Sequence, residues 1–245
     1  MSSDPHRLPR SVQPRRYELD LTPDLGAASF TGSVTIDAEV VEPTDRLVLN
    51  AAELAIERCE LDGLPAGWTL EEDTERLIIP AGRTLEVGPT RLVLTFRGTL
   101  NDKLRGFYRS TYKDAEGREH VIATTQMQAT DCRRAFPCWD EPEYKAVFGL
   151  TLRVEPGLLA IANGPEISRS ALDGREVVRF ADTMPMSTYL VAMVVGPLAA
   201  TPTVDVNGTP MRIVHVPGKE SLATFGLDAA VAGLRFFEDF YGIPY

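Results

Sequence analysis

The chain has 245 residues, and 25 Lys plus Arg against 35 Asp plus Glu set its formal net charge at −10. At roughly 100–200 residues per domain this allows one large domain or two small ones, and 44% apolar with 24% charged residues excludes a disordered chain, which lacks the apolar area to offset chain entropy. The acidic balance excludes nucleic acid, whose phosphates need a basic footprint, and disfavours an anionic membrane surface.

Met1 to Arg10 carries charge and two prolines but no apolar run, so no signal peptide is read there. The longest apolar run, Tyr189 to Val195, is strand-sized, far short of the ~20 residues that span a bilayer. Cys59, Cys132 and Cys138 are too few and too scattered for a disulfide framework. Their odd count leaves at least one free thiol, which suits a reducing compartment. Together these features point to a soluble, cytoplasmic protein.

Period-two alternation dominates the chain. It opens at Tyr17 to Leu21 and is clearest from Gly32 to Val40, where Val34, Ile36, Ala38 and Val40 alternate with Ser33, Thr35, Asp37 and Glu39. One face is expected to be buried and one wet, as in an antiparallel sheet. Further strand patterns follow at Arg46 to Leu49, Arg76 to Ile79, Arg91 to Phe96 and His120 to Thr124. The series continues at Val147 to Val154, Leu158 to Ala162, Glu176 to Phe180, Tyr189 to Val195 and Met211 to Val216. Turn signals separate them at Asp62-Gly63, Ala81-Gly82, Glu116-Gly117, Asn163-Gly164, Asp173-Gly174 and Asn207-Gly208. Many short strands with regular turns indicate an all-β sandwich or an open, twisted double sheet. No internal repeat and no low-complexity linker interrupts the pattern.

The periodicity changes near the end. Leu222, Phe225, Ala229, Ala230, Leu234, Phe237 and Phe240 fall three and four residues apart, which predicts a helix over Lys219 to Tyr241. Ser221 is placed to cap its start, and Gly242 and Pro244 stop it. So apolar a helix needs a partner surface. It either packs across the β core or marks the point where another domain begins.

Little in the chain offers catalytic chemistry directly. The histidines are His6, His120 and His215, with no His-Glu-x-x-His pair, and Cys132 and Cys138 lack a CxxC spacing. His6 falls in a terminal tail, and His120 and His215 fall in strand patterns as structural histidines. No Gly-x-Ser-x-Gly elbow, Gly-x-Gly-x-x-Gly or P-loop pattern is present. One segment stands apart: Thr125 to Pro142, which reads TQMQATDCRRAFPCWDEP. It is too long for a hairpin turn. Arg133 and Arg134 sit among Asp131, Asp140 and Glu141, with Phe136, Trp139 and two prolines. The charged residues read as ion pairs that order a loop. Gln126 and Gln128, two apart at a strand end, share one face, where their amides can accept hydrogen bonds from a ligand ammonium.

Thr125 to Pro142 closely resembles the signature of the aminopeptidase N family, the zinc-dependent gluzincin aminopeptidases, with Cys132 in place of the usual alanine. Pro9 to Asp20 is similar to that family's opening strand, Gly106-Phe107-Tyr108 to its Gly-(Phe/Leu)-Tyr element, and Met184 to Leu190 to its Ser-Thr-Tyr-Leu strand. Phe236 to Tyr245 resembles the helix and turn that open the family's catalytic domain. The resemblance covers essentially the whole chain. It implies a saddle-shaped, antiparallel, multi-sheet N-terminal domain over residues 1–216, with residues 217–245 beginning a catalytic domain. It also implies that the residue at Gln128 holds the free α-amine of a peptide substrate and that Gln126 lines the pocket for the first side chain. The family's Gly-Ala-Met-Glu-Asn motif, zinc-binding His-Glu-x-x-His, third zinc-ligand glutamate and transition-state tyrosine are absent from this sequence.

The expectation is therefore a non-catalytic, metal-free substrate-wall domain, silent alone, whose partners are a peptide N-terminus and a zinc-bearing catalytic domain. The competing readings are an independent β-sandwich that binds a protein or sugar, and a hydrolase using Asp140 and Glu141 as an acid/base pair. Adjacent strand residues point to opposite faces, so those two carboxylates pair poorly across a substrate.

Overall fold

The computed structural model describes residues 7–245, so His6 lies outside the described residues. The chain runs through β1 (Val12–Asp24), β2 (Ser29–Val40), β3 (Thr44–Asn50), β4 (Leu54–Leu61), β5 (Leu64–Pro65), β6 (Thr69–Glu71), β7 (Arg76–Leu85) and β8 (Gly88–Thr99). It continues as β9 (Gly106–Lys113), β10 (Glu119–Gln126), β11 (Val147–Val154), β12 (Leu159–Ala162), β13 (Glu166–Leu172), β14 (Arg175–Phe180) and β15 (Met193–Gly196). Short strands β16 (Ala199–Ala200), β17 (Val204–Val206), β18 (Thr209–Met211) and β19 (Val214–His215) lead to α1 (Glu220–Tyr241). The all-β class with one C-terminal helix is as the alternation predicts.

The largest sheet has eight strands in the order β13-β14-β11-β1-β2-β8-β4-β5. A four-stranded sheet, β12-β15-β10-β9, and a three-stranded sheet, β3-β7-β6, accompany it. In β2 the predicted alternation holds: Val34, Ile36, Ala38 and Val40 are buried while Ser33, Thr35, Asp37 and Glu39 are only half-buried. Together with Tyr17, Leu19 and Leu21 from β1 and Leu92, Leu94 and Phe96 from β8, they belong to one continuous core. Each such side chain contributes roughly 1.5–3 kcal/mol relative to exposure.

The pairing is antiparallel except between β1 and β11, which run parallel with Arg16 opposite Val147 and Leu21 opposite Leu152. Parallel neighbours need a long crossover, and here the intervening chain adds β2, β4, β5 and β8 to the same sheet, builds the three-stranded sheet and supplies β9 and β10 to the four-stranded one. Three of the predicted turns are two-residue hairpins with both central residues at positive φ: Asp62-Gly63, Asp173-Gly174 and Asn207-Gly208. This geometry matches the right-handed strand twist. Ala81-Gly82 is different. It does not reverse the chain but lies inside β7, where pairing with β3 steps from Thr44–Leu85 to Arg46–Pro80. Gly82, at φ 68, sits in this bulge, a position that glycine favours. At Gly164 the reason for glycine is close approach, because a Cβ there would lie 2.2 Å from the Ala181 carbonyl oxygen.

Three local expectations are corrected, the first being Met211 to Val216, which is split between β18 and β19 in different sheets. The run Tyr189 to Val195 is not one strand: Thr188–Leu190 forms a 3-10 turn before β15 begins at Met193. The hydroxyl of Ser187 donates to the Pro142 carbonyl at 2.6 Å and that of Thr188 to Asp140 Oδ1 at 2.6 Å. These buried anchors override the local β preference. Ser221 does not cap the helix; Lys219 occupies the cap position without a side-chain bond. Instead the Glu220 carboxylate accepts the Gly218 N–H at 2.9 Å, which also sets a negative charge at the positive end of the helix. Gly242 stops the helix as predicted, in the left-handed conformation with its N–H bonded to the Glu238 carbonyl.

The helix does not pack across the β core. Ala223 is its one buried residue among those described, while Phe225, Phe237 and Phe240 are 80%, 53% and 67% exposed. Phe236 stacks on Phe240, and Phe237 on Tyr241. The helix is tied to the β17–β18 hairpin where Asn207 donates to the Glu238 carboxylate at 2.7 Å.

Candidate functional site

Strand β10 ends at Gln126, and the chain passes through Met127, Gln128 and Ala129 into a 3-10 turn at Cys132–Arg134. Met127 is buried at 2% exposure, and Gln126 and Gln128 on either side of it are exposed. This alternation is that of an extended strand end, and both amides lie on the outer side. The Gln126 Nε2 donates to the Gln128 carbonyl at 3.2 Å. That bond orients the first amide and leaves the Gln128 side chain available to solvent.

The base beneath these glutamines is rigid for reasons written into the Thr125–Pro142 segment. Phe136, Cys138 and Trp139 are fully buried. Tyr17 stacks on Phe148 with centroids 4.8 Å apart, and its hydroxyl accepts the Trp139 backbone N–H at 3.1 Å. Burial raises the Tyr17 phenol well above its ordinary range, so it stays a neutral acceptor. Two reciprocal backbone bonds, at 2.8 and 3.0 Å, join Asn50 to Cys138. Gly106 opens β9 at φ 66, and a Cβ there would sit 2.8 Å from the Arg134 Cβ. The close approach of hairpin and turn therefore requires glycine.

The charged residues form the expected ion-pair network. Arg133 Nε lies 3.0 Å from Asp140 Oδ2, and its Nη1 lies 2.9 Å from Glu75. Arg134 reaches Asp131 at 2.8 Å, Glu53 at 2.8 Å and Glu75 at 2.5 Å. Thr188 and the Arg133 backbone N–H complete the shell of the Asp140 carboxylate, and Asn50 Oδ1 accepts the Asp140 N–H. Asp140 is 2% exposed, so this is a structural anion, enclosed by donors. Glu141 turns elsewhere and accepts the Leu8 N–H at 2.6 Å. The two adjacent carboxylates thus serve separate contacts, and the acid/base reading has no geometry to support it.

Sequence reasoning missed Glu53, Glu75 and Asn50, which lie 58 to 90 residues from their partners in the segment. Glu53 and Glu75 both adopt positive φ, a rare state for a non-glycine residue. Nothing in their local sequence spacing signals this.

The described residues do not fit the zinc that the family resemblance implies. His120 donates to Asp114 at 2.9 Å and stacks on Tyr112, and His120 heads the bonds that hold the Asp114 carboxyl down to about 2. His215 Nδ1 donates to the Val216 carbonyl at 2.9 Å. Among the described residues, the group whose ligand atoms converge is Cys132, Cys138 and Asp140, within 4.8 Å of one another. Burial raises both thiols, whereas zinc binds thiolates. Both Asp140 oxygens are engaged, and all three residues are buried, leaving none of the open coordination a catalytic zinc needs.

The family model of the peptidase M1 N-terminal domain matches residues 13–190. Aminopeptidase M1-C of Oryza sativa subsp. japonica is 43% identical over 242 residues, covering 98% of this chain and 27% of its own length. Puromycin-sensitive aminopeptidase of Caenorhabditis elegans is 40% identical, with 98% of this chain and 26% of the relative covered. Endoplasmic reticulum aminopeptidase 1 of Homo sapiens is 36% identical at the same coverages. The chain spans about a quarter of the length of the curated relatives it matches. No helix among the described residues is long and apolar enough to cross a membrane. With a multi-sheet β fold, an ion-paired loop and a family model matched from the first strand to the Thr188–Leu190 turn, the chain belongs to the peptidase M1 N-terminal domain family, the N-terminal domain of M1 aminopeptidases.

Proposed function

We infer that this domain forms one wall of the substrate cleft of a cytoplasmic, zinc-dependent aminopeptidase that removes residues from peptide N-termini. The observation that carries the reading is the pair of exposed amides, Gln126 and Gln128, set on a buried, hydrogen-bonded base at the end of β10. The Gln128 amide oxygen accepts from the peptide α-ammonium, and Gln126 lines the pocket for the first side chain. A neutral amide attracts an ammonium less than a carboxylate does, so further anionic groups come from the catalytic domain. That domain also holds the zinc, consistent with the lack of a fitting ligand set among the described residues. Residues 1–216 are the β domain, and residues 217–245 belong with the catalytic unit, against which the aromatic face of α1 packs.

Two measurements test this. The purified chain, supplied with zinc and aminoacyl fluorogenic amides, is expected to show no hydrolysis and no stoichiometric zinc. Zinc-dependent turnover would overturn the non-catalytic role. The isolated chain is also expected to bind a hydrophobic dye or self-associate through Phe236, Phe237 and Phe240, as an uncovered apolar patch does. The double change Phe236→Ser, Phe240→Ser should lower the dye signal several-fold. A monodisperse monomer without dye binding would count against the docking role of α1.

A further inference from the structure

Two of the three cysteines are neighbours in space. Cys132 begins the 3-10 turn and Cys138 lies six positions on, fixed to Asn50 by its paired backbone bonds. Their sulfurs lie within 4.8 Å of each other. Both residues are fully buried, whereas Cys59 sits on β4 outside this cluster. We propose that Cys132 and Cys138 are a redox modification site, closed to an intramolecular disulfide by a hydroperoxide as two-electron oxidant.

The chemistry suits the surroundings. A metal at this position would require two buried thiolates beside the Asp140 carboxylate, which desolvation opposes. A disulfide is neutral and apolar, so it replaces two thiols in the core without adding a charge. Thiol closure needs sulfur movement toward a bond of about 2.05 Å, and side-chain rotation at two residues whose sulfurs lie within 4.8 Å supplies it. Cys132 and Cys138 are equally buried, so either sulfur can attack first, and the balance is the same with Cys138 leading. The Cys138 thiolate displaces hydroxide from hydrogen peroxide and becomes a sulfenic acid, and the hydroxide takes the Cys132 proton to give water. The Cys132 thiolate then attacks the Cys138 sulfur, expelling hydroxide, which is protonated to a second water. Two S–H bonds are lost, one S–S bond forms, and one peroxide is reduced. Burial makes the step slow, because the thiolate is the reactive form and must be exposed. Opening of the Thr125–Pro142 segment thus sets its rate. The bridge closes a short loop in the base beneath Gln128.

The test uses the full chain, purified reduced and held with hydrogen peroxide both in buffer and in urea below the unfolding midpoint, so that access does not limit the reaction. After denaturation and alkylation, the free thiols are expected to fall from the three present to one, at Cys59. The Cys132–Cys138 peptide should lose two hydrogens and recover them with dithiothreitol. In Cys132→Ala and in Cys138→Ala this hydrogen loss should disappear, while wild-type secondary structure is retained. Three alkylatable thiols under both conditions would overturn the proposal. Oxygen addition at Cys138 without bridging, or a disulfide between two chains, would overturn it equally.

Discussion

Asp140→Ala is expected to destabilise the domain by about 3–5 kcal/mol, because it strips one partner from a buried ion pair and leaves the other charge uncompensated. Arg133 keeps its second contact with Glu75 at 2.9 Å, which places the effect toward the lower end of that range. The same change orphans the Thr188 hydroxyl and the Arg133 backbone N–H, and each unsatisfied buried donor costs about 1–3 kcal/mol. Asp140→Asn retains an acceptor for Thr188 but loses the charge, so its cost should be about half as large. Urea unfolding followed by fluorescence of the buried Trp139 measures both. A loss below about 1 kcal/mol for the alanine variant would show that the network decorates the loop rather than holding it.

The second large effect concerns substrate binding, and it rests on the proposed amine-holding role. In an active enzyme carrying this domain, Gln128→Ala should lower kcat/KM for a free-amine substrate about 10- to 100-fold, the worth of about 1.5–3 kcal/mol for a hydrogen bond to a charged group. The loss should appear mainly in KM, because the α-ammonium is bound in both ground and transition states. Gln128→Glu should reverse the direction and lower KM, since a carboxylate makes a charge-assisted bond. Gln126→Ala should instead change the ranking of first-residue side chains. If Gln128→Ala leaves KM unchanged, or if Gln128→Glu raises it, the amine does not sit at this residue.

Both predictions draw on one segment, and the segment shows which parts of the molecule are local. Its composition already marked a loop held by ion pairs and aromatic packing, and Arg133, Arg134, Asp131 and Asp140 do pair in this way. The alternation of exposed Gln126, buried Met127 and exposed Gln128 also follows from the two-residue strand period. What the segment could not carry was the identity of its partners. Glu53 and Glu75 lie far from the segment in the chain, and only closure of the chain brings them to Arg133 and Arg134.

Period and turn chemistry are properties of a few consecutive residues, so the sequence alone determined the all-β class, the Asn-Gly and Asp-Gly hairpins, the single helix with its Gly242 stop, and a segment specific enough to point to a family. Contacts between residues far apart in the chain depend on which sheet each strand joins and in what register, which is settled by burial of the whole core at once. The tertiary structure therefore decided the parallel β1–β11 pairing, the interruption of Tyr189 to Val195 by anchored hydroxyls and the enclosure of Asp140. By the same route it set the convergence of Cys132 with Cys138 and the exposure of the aromatic face of α1.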